Sequence, residues 1–313
     1  MTSGSQRAFS VFVKALIAVD GSAESTTALQ TAARLLHSAD RKLEVLCVAP
    51  EMPGRNTSGR AGRTRYRQRI LAEASRILEE AAASFTTRAG IVNYQKQIGS
   101  PSGVIVDKAA DYDIVVVGAR GREMTGELGL GPVASRVVEH APMPVLVGRA
   151  LRSEEGIRIL AAVDGSAASL AAVETLDSLF DLDSGEICLM HVAETPWLHL
   201  GLEEDWQTYS EEDKDSSEEG SLERELVREG EIAVEQARKL LHNRHLSVST
   251  RIDQGDPANE ILSEAESGQY DLVVVGATGT RDLKHSMLGS VSFKVAWNAP
   301  CSVLIVREPE QVA

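Results

Sequence analysis

The chain has 313 residues, of which 43% are hydrophobic and 4% aromatic, and a formal net charge of −14 at pH 7. That length predicts about two domains. The charge argues against general affinity for nucleic acid or anionic membrane. The longest apolar runs, such as Ile114 to Val117 and Val303 to Val306, fall far short of the ~18 residues that span a bilayer. Met1 to Ser10 holds no apolar stretch followed by a small-residue cleavage site, so no secretion signal is expected. Three cysteines, Cys47, Cys188 and Cys301, cannot all pair and match no metal spacing. A cytoplasmic protein without nucleic-acid or membrane partners is the expectation.

In chain order, short β-branched runs alternate with helical patterns. Strands are predicted near 13–19, 43–48, 91–97, 113–118 and 144–148, and helices near 22–37, 64–88, 101–111 and 131–140. Ala28, Ala32, Leu35 and Leu36 share one helical face. Ser22 stands where an N-cap belongs, and Glu24 suits the positive end of that helix. The run Ile114 to Val117 reads as a strand buried on both faces, hence a parallel sheet between helix layers.

The whole pattern then repeats. Val13 to Ser22 returns as Ile157 to Ser166, Cys47-Val48-Ala49 as His191-Val192-Ala193, and Asp113 to Gly121 as Asp271 to Gly279. Ala141-Pro142 before Val145 returns as Ala299-Pro300 before Val303. The period is too long for a solenoid and marks a duplicated domain. The expected architecture is therefore α/β, with two doubly wound parallel five-stranded sheets covered by helices. The domains are placed at 1–152 and 153–313. Splitting the chain after Ala150 leaves the first part at +5 and the second at −19.

Candidate chemistry gathers where the fourth strand of each repeat ends. In the second repeat, Gly276-x-x-Gly279 is followed nine residues later by Gly289-Ser290-Val291, which opens a helix. Glycines permit close backbone approach, and a helix N-terminus offers unpaired N–H groups to a phosphate. Asp164, ending the first strand, points to the same crevice and can accept from a ribose hydroxyl. In the first repeat Gly118, Gly121 and Gly131 keep the spacing, but Pro132 replaces the Ser and removes both a hydroxyl and an N–H. Arg120 and Arg122 offer point charges in compensation. No P-loop, no dinucleotide fingerprint and no nucleophile elbow occurs. His191 reads as a packed residue rather than a catalytic one, and no general base stands out, so no more than weak catalysis is expected.

These motifs, with Gly99-Ser100-Pro101, Gly255-Asp256-Pro257 and the two Ala-Pro pairs, resemble the universal stress protein family in its tandem form, over about 13–149 and 157–307. The resemblance implies strand order 3-2-1-4-5 and binding of ATP, with Mg²⁺ carried on the phosphates. It implies adenine against the backbone at Val192 and ribose near Asp164 and Gly276. Phosphates would lie on Gly279, Gly289, Ser290 and Val291. The first repeat offers Asp20, Val48, Gly118, Gly121 and Gly131 as its counterparts. An adenine-nucleotide-binding regulator of the stress response is the function so implied. A slow ATP hydrolase and a nucleotide-independent interaction scaffold stay open as alternatives.

Two charged insertions differ between the repeats. Arg55, Arg60, Arg63, Arg65, Arg67 and Arg69 carry +6 over 55–69, and 203–225 carries −9. They read as solvated loops, as segments that meet within or between chains, or as a site for an anionic partner. The repeats are expected to pack as an intramolecular pseudo-dimer through the last strands, near Val145 and Val303. A dimer of whole chains is a further expectation.

Overall fold

The computed structural model describes residues 13–36, 41–51, 60–84, 91–122, 129–152, 156–180, 185–194, 218–242, 246–280 and 288–308. The first repeat comprises β1 (Lys14–Ala18), α1 (Ala23–Leu35), β2 (Lys42–Pro50), α2 (Arg60–Ser84), β3 (Ile91–Gly99), α3 (Pro101–Ala109), β4 (Ile114–Gly118), α4 (Pro132–His140) and β5 (Val145–Gly148). The second comprises β6 (Ile157–Ala162), α5 (Ala167–Leu179), β7 (Gly185–Ala193), α6 (Glu218–Arg238), β8 (Leu246–Gln254), α7 (Pro257–Ser267), β9 (Leu272–Gly276), α8 (Ser290–Asn298) and β10 (Ser302–Val306).

Capping sets the helix starts. Ser22 and Ser166 accept from the N–H of Ser25 and Ser169, each at 3.1 Å. Pro101, Pro132 and Pro257 open α3, α4 and α7, where a missing N–H costs nothing. Within the strands successive side chains take opposite faces. Ile17 and Val116 join the core under α1 and α2, whereas Leu16, Val115 and Val117 join the core under α3 and α4. The second repeat feeds the same two cores, so α1, α2, α5 and α6 cover one face and α3, α4, α7 and α8 the other.

The strand order is β3-β2-β1-β4-β5-β10-β9-β6-β7-β8 in a single sheet. Each half has order 3-2-1-4-5, and pairing within each half is parallel. The halves join where β5 meets β10 antiparallel, with Val145 opposite Ile305 and Val147 opposite Val303. This removes two apolar strand edges that would otherwise template aggregation. The joint is closed by two arginines. Arg149, just after β5, donates to the carbonyl of Ala296 in the last turn of α8 and to that of Cys301 just before β10, at 3.1 and 3.0 Å. Arg307, just after β10, donates to Val138 and Ala141 at the end of α4, at 3.0 and 2.9 Å. Each cation thus satisfies terminal helix carbonyls of the other repeat, at the negative end of the dipole. Buried Asp271 accepts from the N–H of Arg152 at 2.6 Å and of Arg158 at 3.0 Å, holding the chain between the repeats.

The charged segments are partly helical. Arg63, Arg65, Arg67 and Arg69 are exposed on the opening turns of α2, which starts at Arg60, a turn ahead of the predicted 64. Arg55 and residues 203–217 lie outside the described residues, and 218–225 begin α6. Because α2 covers β2 and β3 while α6 covers β7 and β8, about 34 Å of sheet separates β2 from β7 at ~4.8 Å per strand.

Candidate functional site

Strand order reverses between β6 and β9, and a crevice opens beyond their carboxyl ends. Its cavity measures ≈650 Å³ and is lined from β6, β7, α6, β9 and the start of α8. Asp164, Val192, Gly276, Gly279, Gly289, Ser290 and Val291 all line it. Residues separated widely in sequence are thereby brought to one wall. Residues 281–287, including Arg281, Asp282, Lys284 and His285, lie outside the described residues. Among the described lining residues there is no lysine or arginine, while Asp164, Glu194 and Glu229 are acidic.

Asp164 organises the floor. Its Oδ1 accepts from the Ser166 N–H at 3.0 Å and its Oδ2 from the Thr280 N–H at 3.0 Å. The carboxylate therefore ties the end of β6 to the loop after β9. Gly279 makes that approach possible, because a Cβ there would stand 2.8 Å from Asp164 Oδ2. Gly276 has a different reason. A Cβ there would meet the Ser169 N at 2.6 Å, so this glycine lets β9 pack against the first turn of α5. Ser292 Oγ donates to the Gly276 carbonyl at 2.6 Å and fixes α8 against the same strand. Ser290 stands exposed at the first position of α8, after Gly289, where free N–H groups face the crevice.

His191 is half-buried, packed against α6 while it also lines the crevice. Its Nδ1 lies 2.8 Å from the Val163 carbonyl, so that nitrogen donates and Nε2 is left as an acceptor in the neutral ring. The ring lies against Gly230 of α6, where a Cβ would come within 3.0 Å of Cγ and 3.1 Å of Nε2. In the first repeat the same two places hold Cys47 and Ala74. The larger strand residue is matched by the smaller helix residue.

The first repeat brings Asp20, Gly118 and Gly121 to the equivalent place but furnishes it differently. Gly121 again faces an aspartate, 2.8 Å from Asp20 Oδ2 to its Cβ position, and Gly118 packs on the backbone of Glu24 and Ser25 at 2.9 Å. Asp20 Oδ1 accepts from both the N–H and the hydroxyl of Ser22, at 2.9 and 2.6 Å. Gly131 caps α4 and Pro132 opens it. Val48 is half-buried near the end of β2. Arg120 and Arg122 are engaged within the protein. Arg120 pairs with Glu24 at 3.4 Å, and Arg122 pairs with Glu73 of α2 at 3.1 Å while lying against Gly21. Burial, with Asp20 nearby, pushes the Cys47 thiol beneath them up to about 11.

Comparison with known proteins agrees with this architecture. The universal stress protein family profile matches residues 12–149 and again 157–307. This chain belongs to the universal stress protein family. A universal stress protein of Methanocaldococcus jannaschii is 31% identical over 155 residues, covering 49% of this chain and 84% of that one. A universal stress protein of Mycolicibacterium smegmatis is 27% identical over 303 residues, covering 93% of this chain and 96% of its own length. Among solved structures, a universal stress protein from Archaeoglobus fulgidus superposes with a TM-score of 0.60 at 18% identity, over 94% of this chain and 98% of that one, and so shares its fold. The family's tandem form is present here as two matched domains in one sheet. No helix among the described residues is long and apolar enough to cross a membrane.

The sequence pattern did not single out Glu229, Gly230 or Thr280. Glu229 and Gly230 become visible once α2 and α6 are aligned, since the buried set Ala74, Ile77, Leu78 and Ala81 corresponds to Gly230, Ala233, Val234 and Ala237, and Thr280 follows Gly279 as Arg122 follows Gly121.

Proposed function

We propose that the second domain binds one adenine nucleotide, ATP, and that the chain is a nucleotide-responsive regulator of the stress response. The observation that carries this reading is the convergence of Asp164, Val192, Gly279, Gly289, Ser290 and Val291 on one ≈650 Å³ crevice at the switch point of the sheet. Phosphates would take the free N–H groups at the start of α8 and the Ser290 hydroxyl. Asp164 has acceptor capacity beyond its two backbone bonds for a ribose hydroxyl. The backbone near Val192 would take the adenine edge.

Among the described residues no group of three or more His, Cys, Asp or Glu side chains could hold a metal ion. Mg²⁺ would arrive on the phosphates, where it offsets their charge against Asp164, Glu194 and Glu229. The first domain is proposed as the weaker site. Pro132 withholds two donors worth roughly 1.5–3 kcal/mol each to a charged group, about 3 kcal/mol or more together. Arg120 and Arg122 are already paired with Glu24 and Glu73. The domain boundary is placed between 152 and 153, beside the Asp271 clasp.

Mass spectrometry of the small molecule released on denaturing the purified protein tests this reading. ATP or ADP at up to one per chain supports it. A released ligand without a purine, together with no heat on titrating ATP, contradicts it.

A further inference from the structure

The first domain carries an internal picture of what the second-domain crevice can hold. There, the Arg122 guanidinium lies over the end of β1, with its Cζ 3.2 Å from a Cβ placed on Gly21. Its Nη1 stands 3.1 Å from Oε1 of Glu73, which projects from α2. A planar, donor-bearing group therefore fits between the residue after the strand-end aspartate and a carboxylate on the facing helix.

In the second domain the carboxylate is retained and the guanidinium is not. Ile77 approaches the Cβ position of Gly21 at 3.0 Å, and Ala233 approaches that of Gly165 at 3.5 Å. That match places Glu229 where Glu73 stands, one helical turn earlier. Thr280 occupies the place of Arg122 and spends its N–H on Asp164. Glu229 lines the cavity. Among the described residues it makes no hydrogen bond or ion pair. An acceptor-only group left at a cavity wall is suited to ligand donors.

We infer that Glu229 contacts the ligand, accepting from one ribose hydroxyl while Asp164 accepts from the other, so that the site favours ribonucleotides over deoxyribonucleotides. This rests on the nucleotide reading above. The sugar is the part that meets Glu229, because the guanidinium it replaces lies beside the residue following the aspartate. Phosphate oxygens would be repelled by a carboxylate, and they belong to the start of α8.

The test titrates the full chain calorimetrically with ATP, 2′-deoxy-ATP and 3′-deoxy-ATP, as wild type and as Glu229→Ala. Glu229 is exposed on its helix and alanine is a strong helix former, so the substitution spares the fold. Wild type should bind ATP about tenfold more tightly than one of the deoxy analogues, the lower end expected of a hydrogen bond to a charged group. Glu229→Ala should bring ATP down to that analogue's affinity and leave the analogue's own affinity unchanged. ATP-to-deoxy ratios unchanged for both analogues in Glu229→Ala overturn the inference while leaving the nucleotide reading standing. Equal losses for all three ligands place Glu229 against the base or a cation and also overturn it. Absence of ATP binding in wild type removes both.

Discussion

Arg149 and Arg307 occupy the same position in the two repeats, and each reaches across the joint to carbonyls in or just after the last turn of the other repeat's last helix. The relationship is reciprocal, so each domain ends the other's helix. Replacing either arginine with alanine strands buried carbonyls, which costs about 1–3 kcal/mol. Lysine cannot reproduce the fork and should rescue little. Because the two clasps share no partner, the double variant should lose the sum of the single losses. Denaturant midpoints of the four proteins measure this. A strongly non-additive result would show that the clasps act as one unit.

His191 and Gly230 exchange size with Cys47 and Ala74. Gly230→Ala adds helix propensity of about 1 kcal/mol but drives a Cβ into the His191 ring. Overpacking of about 1–3 kcal/mol should offset or exceed the gain. Adding His191→Cys, which copies the first repeat, should restore or raise stability. Thermal unfolding of the single and double variants checks it, and a Gly230→Ala protein more stable than wild type would count against the contact.

Gly276 and Gly279 should separate stability from binding. Gly276→Ala meets the backbone of α5 at 2.6 Å, which cannot yield cheaply, so a loss of several kcal/mol is expected. Gly279→Ala meets only the end of the Asp164 side chain. It should leave the midpoint within about 1 kcal/mol and weaken ATP, since Asp164 must turn. Paired unfolding and titration curves decide between them.

The buried thiols set an alkaline limit. Burial pushes Cys47 and Cys301 each from 9.0 up to about 11. A folded value above the unfolded one means that stability is complete below pH 9 and is lost as pH rises towards 11. Each thiol accounts for about 2–3 kcal/mol at the upper end. Urea unfolding at pH 7.5 and 10.5 should show the fall, and Cys47→Ala with Cys301→Ala should flatten it. An equally steep fall in that double variant would contradict the assignment.

Most of the fold could be read from the sequence because duplication doubled each weak signal. Ile114 to Val117 and Leu272 to Val275 announce the same buried strand twice, and Ser22 and Ser166 cap equivalent helices. Spacing singles out Gly276, Gly279, Gly289 and Asp164, and all four line one crevice. What escaped was set by contacts that leave no local pattern. The helix predicted near 64–88 starts earlier, at Arg60, so the arginine run that also has the composition of a loop opens α2, held by the apolar face from Ile70 onward. Its first turn lacks any acid to balance the dipole. Arg149 and Arg307 are single residues after strands, and only the antiparallel joint gives them partners. Gly276 belongs to a binding motif by spacing, but its missing side chain answers to α5.

One nucleotide is proposed to bind each chain, at the start of α8 in the second domain. Ser290→Pro tests it most directly. Proline is accepted at the first helical position, as Pro132 shows in α4, so the fold remains while the hydroxyl and N–H are lost. Calorimetric titration of ATP should give one site per chain in wild type and a loss of at least about a hundredfold in Ser290→Pro. Two equal wild-type sites, or ATP binding untouched by Ser290→Pro, would contradict the account.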